Sequence, residues 1–401
     1  MASPTASAAQ APVLPLHMRR ERFDPPAEIA TIREQPGLGR VTTPIGRPAW
    51  LVTRYEDARE ILGDAARFSS AGLPVIPVPG ADPGQQRAGN LLMLDPPEHT
   101  RLRRLLTGEF TVKRIRRLEP RITEIVDDHL DAMEQAGPPA DLVPDFALPV
   151  PSLVICELLG VPYDDRADFH RRAAKQLDLT RPMEERGKVA LEGRAYMSEL
   201  VDRAFAEPGE DMLGMLVREH GTDLTHDELV GVASLLLIAG HETTANMLAI
   251  GTLALLRHPE QAALVRDDPA AIAPAVEELM RFLSVVHTGV PRVATADTEV
   301  AGQAVGEGDV LVVSLPAADR DRALVEDPDR LDVGRAAGHH VAFGHGVHHC
   351  LGAPLARMEM ATAFPALLRR FPTLAPAIPF EDVDFRSASV VYGLRSLPVT
   401  W

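Results

Sequence analysis

The chain has 401 residues, 45% of them hydrophobic and 24% charged, and a formal net charge of −16. That composition suits a globular protein of one large domain or two ordinary ones, and the negative field disfavours nucleic acid as a partner. The longest apolar run, Leu229–Gly240, is shorter than the roughly 18 apolar residues a bilayer span needs, so no membrane association is expected. Two cysteines, Cys156 and Cys350, are poor material for a disulfide framework and point to a reducing, cytoplasmic compartment.

In chain order, "MASPTASAAQAPVLP" reads as a leader, so residues 1–18 are expected to be a flexible segment and 19–401 one folded domain. Pro48–Tyr55 has a strand pattern and Tyr55–Asp64 a helical one. The Pro- and Gly-rich stretch Ala71–Asn90 reads as a long irregular loop, a length that usually marks a functional lid. In "HTRLRRLL", at about 100° per residue, His99 and Arg103 share one helix face. Leu102, Leu105 and Leu106 then turn to the core, and Arg101 and Arg104 to solvent. Lys113, Arg114, Arg116 and Arg117 follow, a basic patch against the charge trend of the chain and therefore an address for an acidic partner.

Helical spacing continues through Arg114–Gln135 and Val201–Glu207. Cys156, in "PSLVICELLG", reads as a packed core thiol. Thr225 and Glu228 form a capping-box signature, opening a helix that runs to Arg257 before Pro259. Inside it, "AGHETT" places a Glu-Thr pair after an apolar run, where a hydroxyl can bond the preceding carbonyl and bend the helix. Glu278 and Arg281 stand i, i+3 and can pair. Strand signals return in Thr298–Pro316 and in Ser389–Trp401, as small peripheral ribbons.

The stretch "HVAFGHGVHHCLGAPLAR", His340–Arg357, puts one of the two cysteines in a glycine-rich turn. A zinc site needs ligands that close a tetrahedron, which adjacent His348, His349 and Cys350 cannot do. An inert thiol would need packing that glycines do not offer. A thiolate ligand to haem iron explains the residues singly. Gly344 and Gly346 allow a tight turn that aims N–H groups at the sulfur. The following helix start favours the anionic thiolate, and Pro354 falls in its first turn. Gly352 leaves room for a flat macrocycle.

Phe343-Gly344-x-Gly346-x-His348-x-Cys350-x-Gly352 resembles the haem-binding loop of the cytochrome P450 superfamily, and the likeness covers nearly the whole chain. It implies a mainly α fold, a helical bundle around haem b with small peripheral antiparallel sheets, and Cys350 as the metal ligand. Ala239 and Gly240 would lie on the oxygen-activating segment. There Thr243 would hydrogen-bond dioxygen or a water beside it, and Glu242 would relay protons with Thr244 next to it. His99, Arg103, Arg292 and His348 would hold the haem propionates, as buried carboxylates demand. Glu278, Arg281 and Arg330 would form a structural triad bracing the cysteine loop. Asp319, in "AADRD", stands where the family often has Asn.

The substrate pocket is expected between the Ala71–Asn90 loop, Leu235, Ile238 and Ala239, with Val286 and Val290 from one later segment and Val390 and Val391 from another. Segments "EFTVKRI" and "FALPVPSLVICELLGVPY" resemble soluble actinobacterial members that hydroxylate macrolides, statins and vitamin D. The expected activity is insertion of one oxygen atom of O2 into a bulky, mainly apolar small molecule by a monomeric enzyme. With no flavin or nicotinamide fingerprint, electrons would come from a separate ferredoxin and its reductase. A peroxide-driven peroxygenase is the alternative, but in such members the acid–alcohol pair is typically replaced. A non-enzymatic haem sensor would need no proton relay.

Overall fold

The computed structural model describes residues 14–74, 82–335 and 338–401. In chain order the helices are α1 Ala27–Glu34, α2 Tyr55–Gly63, α3 Pro83–Arg87, α4 Glu98–Thr107, α5 Val112–Ile115, α6 Glu119–Ala136, α7 Pro149–Leu158, α8 Arg166–Leu177, α9 Met183–Ala206, α10 Met212–His220, α11 His226–Arg257, α12 Pro259–Asp267, α13 Ile272–Leu283, α14 Leu315–Ala318 and α15 Ala353–Arg370. The strands are β1 Gly39–Thr42, β2 Pro48–Val52, β3 Phe68–Ser69, β4 Ala140–Asp141, β5 Val290–Ala294, β6 Thr298–Val300, β7 Gln303–Val305, β8 Val310–Val313, β9 Ala375–Pro376 and β10 Pro398–Thr400. None of the described helices is long and apolar enough to cross a membrane.

Helix α11 organises the rest. Its capping box forms as the sequence implies: the Glu228 N–H donates to the Thr225 hydroxyl at 3.2 Å, and the Thr225 N–H to the Glu228 carboxylate at 2.9 Å. Most of the helix is apolar all round, so it is buried all round, against α7, α9 and α15. A five-stranded sheet of order β1-β2-β8-β5-β3 lies to one side, with β2 and β8 parallel and in the register Trp50↔Leu311. It closes a second, smaller core with α2 through Trp50, Ile61, Phe68 and Leu311. A three-stranded sheet, β4-β10-β9, and the β6–β7 hairpin are peripheral.

The helix expected over Arg114–Gln135 divides into α5, a 3-10 turn at Arg116–Leu118, and α6, because Pro120 can only occupy a first helical turn. Strand β5, which carries Arg292, has no alternation to betray it and contains Pro291. The end of the Ala71–Asn90 stretch lies against α11. At Gly89 (φ +71°) an added Cβ would sit 2.0 Å from the Glu228 carbonyl oxygen, and at Gly231 1.8 Å from that of Ala88. Backbone therefore lies directly on backbone, and Arg87 ties the ends by donating to Ala71 O and Leu73 O. Residues 75–81 of that loop lie outside the described residues, as do residues 1–13 of the leader. The leader boundary expected at residue 18 falls inside packed chain. His17 and Met18 are buried, and His287 bridges Met18 O at 3.0 Å and Ser389 O at 2.7 Å. The burial of the Met18 side chain draws that segment into the domain.

Candidate functional site

The cysteine loop rests on α2. Gly344 and Gly346 have φ of +73° and +70°. A Cβ on Gly346 would approach the Leu62 carbonyl oxygen to 2.4 Å, so only glycine lets the loop lie there. The loop closes through the Cys350 N–H, which donates to Phe343 O at 2.8 Å. The N–H groups that face the sulfur are those of Gly352 and Ala353. They belong to the start of α15, where N–H groups have no partner within the helix. Burial pushes the Cys350 thiol up, and the Gly352 N–H, Arg103, Arg357 and the Ala353 N–H oppose it. Cys350 is exposed by surface area yet walled by protein, as a side chain lining a cleft is. Ala239 is likewise exposed in the middle of α11.

Around this thiol stands a group of basic side chains short of anions. His99 is 1% exposed, neither ring nitrogen has a hydrogen bond, and its ring lies 4.2 Å from that of His348. Burial, with Arg292 and His99 adding repulsion, pushes His348 down to about 3. Its Nε2 meets the Ser70 hydroxyl at 3.2 Å. Burial pushes Arg292 down to about 10, offset in part by Asp95. Arg103 donates to the His349 carbonyl at 2.5 Å. Asp95 is itself occupied by Ser69, Ser70 and Ala71. An excess of buried donors beside a thiol, with open space at Gly352, suits a flat group carrying two carboxylates and a metal that takes a sulfur ligand. The residues present therefore fit haem.

Beneath the loop, Glu278 and Arg281 are fully buried and doubly bonded, at 2.7 and 2.9 Å. The third arginine is Arg335, whose Nε lies 3.3 Å from Glu278, and not Arg330 as expected. The Arg330 side chain is 66% exposed and pairs with Asp332 at 3.2 Å, offering the brace only its carbonyl. The turn that bonds the Arg335 N–H to Asp332 O folds Arg335 back inward. Asp319, fully buried, accepts the Val341 N–H at 2.6 Å through Oδ1, while Oδ2 has no partner. Burial pushes its carboxyl up to about 6. Its effect is to fasten the end of α14 to the entrance of the cysteine loop.

On α11, Thr243 Oγ1 donates to Ala239 O at 2.6 Å, the back-bond the sequence implies. Gly240 packs against Ile155, 3.1 Å from where its Cβ would stand. Glu242 is 1% exposed, and its Oε2 accepts from Arg386 at 3.2 Å and Asn246 at 3.3 Å. His241 Nε2 lies 3.7 Å from the other oxygen, and neither ring nitrogen has a hydrogen-bond partner. Thr244 turns away from Thr243 and hydrogen-bonds Glu359 of α15, a buried acid whose pKa burial pushes well above the usual range. Thr244 thus belongs to the α11–α15 contact rather than beside the Glu-Thr pair. Arg386, Asn246 and Arg335 escape sequence reading because each stands in no motif.

Leu235, Ile238, Val286, Val290 and Val390 are partly exposed, as lining residues would be. Val391 is not among them: it is 5% exposed and packed in the main core, so Val390 alone of that pair presents a free face. Of the basic patch, Arg104, Lys113, Arg116 and Arg117 are exposed. Arg101 is exposed as well, but it is committed to the Glu228 carboxylate and to Asp223 O, tying α4 to the start of α11. Arg114 turns inward to Glu109 at 2.9 Å.

The chain matches the family model described as Cytochrome P450 over residues 32–184 and 199–392. It is 50% identical over 394 residues to "Cytochrome P450 FAS1" of Rhodococcoides fascians, covering 97% of this chain and 98% of that protein. It is 43% identical to "Vitamin D3 dihydroxylase" of Streptomyces griseolus, covering 99% and 98%. The crystal structure of CYP105P1 in complex with filipin I superposes with a TM-score of 0.89 at 41% identity, covering 96% of this chain and 97% of that one.

Proposed function

Because the chain belongs to the cytochrome P450 family and is a haem b monooxygenase with a cysteine thiolate ligand, we propose that Cys350 supplies that ligand. We propose further that His99, Arg103, Arg292 and His348 hold the propionates, and that Glu242 and Thr243 deliver protons. When bound, haem supplies the reductive activation of dioxygen. The chain's own work is placement. The Gly352 and Ala353 N–H groups stabilise negative charge on sulfur, against the burial that opposes it. The single observation that carries this reading is the thiol of Cys350 set beside buried, underused donors, His99 above all.

On the other side, Thr243 holds its hydroxyl on Ala239 O, one turn back on α11, from where it can pass a hydrogen bond to a reactant above that residue. Glu242 sits at the next position and reaches a cavity behind the helix, so a proton taken there can be handed towards Thr243. The substrate is a bulky, mainly apolar small molecule, and the usual outcome is hydroxylation. Supporting this are the branched aliphatic lining from Leu235, Ile238, Val286, Val290 and Val390, and the vitamin D3 and filipin I in the names of relatives. Electrons come from a ferredoxin and its reductase, received on the exposed face of Arg104, Lys113 and Arg116.

The test is turnover. A panel of bulky aliphatic and polycyclic compounds is first screened for spectral shifts of the ferric protein. Hits are then incubated with NADH, ferredoxin and reductase, or with hydrogen peroxide alone. Oxygenated product only with the electron-transfer partners is expected. Product with peroxide alone would establish the peroxygenase instead.

A further inference from the structure

A cavity of about 310 Å³ lies behind α11, away from the cysteine loop, with the Glu242 carboxylate in its wall. Its other walls are α8, the turn that follows it, the segment before α7, and the C-terminal stretch 386–395. The chain as a whole is strongly acidic, at −16. This wall is not: Lys175, Arg181, Arg386 and Arg395 face two carboxylates, Asp178 and Glu242. Fields of one sign are focused in concave, low-dielectric surroundings.

The cations here are also short of acceptors. Lys175 has no hydrogen-bond or ion-pair partner among the described residues. Arg181 pairs with Glu185 at 2.5 Å through Nη1, but its Nε is buried without a hydrogen bond, 3.5 Å from Asp178. Arg386 engages Glu242 through Nη1 alone, at 3.2 Å, longer than a good charge-assisted bond. Arg395 reaches Asp384 only at 3.4 Å. Donors of this kind, three of them guanidinium forks, match an oxyanion. Val143, Leu148 and Leu394 complete the wall, and the volume exceeds that of a bare phosphate, so a few carbon atoms can be accommodated.

We propose that this cavity binds a small oxyanion, a carboxylate or a phosphate, and that occupancy draws Arg386 away from Glu242. Released from that bond, the Glu242 carboxylate has a neighbour waiting. His241 Nε2 is 3.7 Å away, fully buried and without a partner, and a small rotation of Glu242 gives it one. The anion thus sets whether Glu242 faces the cavity or the interior of α11. The binding half of the proposal stands on the cavity alone; the coupling half rests on Glu242 being the proton relay.

The experiment uses the ferric haem-loaded protein. Inorganic phosphate, succinate and chloride are titrated at constant ionic strength by calorimetry and by thermal shift. Saturable binding of phosphate or succinate, but not chloride, is expected, and the tighter of the two identifies the source of the oxyanion. Lys175→Gln, an exposed change, and Lys175→Gln/Arg395→Gln should weaken that binding about tenfold or more, with an unchanged Soret band. Equal heats for chloride, or binding unaltered in both variants, would overturn the site. Product formed per NADH should change when the anion saturates wild type, and should not respond to it in Arg386→Gln. Binding without that change overturns the coupling half. Failure of the relay reading shows separately, as Glu242→Gln keeping wild-type yield without any anion.

Discussion

Glu278 and Glu242 are both buried carboxylates on helices that face arginines, and they are held in opposite ways. Glu278 has no exposure and is gripped by Arg281 at 2.7 and 2.9 Å and by Arg335 at 3.3 Å. Arg281 in turn donates to Asp319 O and Pro328 O, so its strong donors are used. Glu242 has one long bond to Arg386, one to Asn246, and a cavity beside it. A buried ion pair with every partner satisfied fixes a structure, and removing one member leaves an uncompensated charge. A carboxylate with loose partners and a route to solvent can change partner, which a proton carrier must do. The same chemistry thus serves as a brace under the cysteine loop, and we propose that behind α11 it serves as a movable part.

The sharpest way to break this contrast is in the brace. Glu278→Ala strands Arg281 and should cost about 3–5 kcal/mol, with most haem lost on purification. Denaturant unfolding and haem content per chain measure both. Within the same brace, Arg335→Ala should cost about 1–2 kcal/mol, while exposed Arg330→Ala should stay within about 0.5 kcal/mol. The reverse order would restore the arrangement expected from sequence.

Asp319 offers a gentler probe of the same side. Folding lifts this carboxyl from 3.8 to about 6, so the folded chain keeps a proton that the unfolded chain releases. The contribution to stability is therefore full at low pH, falls as pH rises from 3.8 towards 6, and is a fixed penalty above that. Asp319→Asn keeps an acceptor for the Val341 N–H and removes the ionisation. It should be more stable than wild type at neutral pH by about 3 kcal/mol, with the difference shrinking on acidification. A difference independent of pH would show that Asp319 does not carry the titration.

On the movable side the expected effects fall on yield rather than on stability. Thr243→Ala and Glu242→Gln should unfold within about 1 kcal/mol of wild type. Product per NADH should fall about tenfold or more, with peroxide rising in Thr243→Ala. Unchanged yield in both would move proton delivery elsewhere. Smallest of all, Arg104→Glu/Lys113→Glu should slow reduction by ferredoxin severalfold at low salt, with a flatter salt dependence and unchanged substrate affinity. Wild-type rates at low salt would place the docking face elsewhere.

The contrast also explains what the sequence could reveal. The cysteine loop is built from neighbours in the chain. Glycines with positive φ, a cysteine and a helix start must be contiguous, so its pattern is legible, as is the Thr225–Glu228 cap. The partner of Glu242 lies 144 residues away, in a stretch with no pattern of its own, and only the packed chain brings Arg386 there. Arg335 and Arg330 look equivalent on paper, and a turn at Asp332 decides between them. Val390 and Val391 are adjacent, identical side chains, and the path of the backbone leaves one partly exposed and buries the other in the core. At the cysteine loop the turn is legible from Gly344 and Gly346, while the identity of the N–H groups at the sulfur depends on where α15 begins.

We propose that Cys350, as thiolate, is the iron ligand of this monooxygenase. The most direct measurement is the spectrum of the dithionite-reduced protein under carbon monoxide, for wild type and Cys350→His side by side. Thiolate ligation by Cys350 requires the strongly red-shifted Soret band in wild type and its loss in Cys350→His, whether or not that variant keeps haem. An intact wild-type protein without the shifted band, or a Cys350→His variant that retains it, would contradict it.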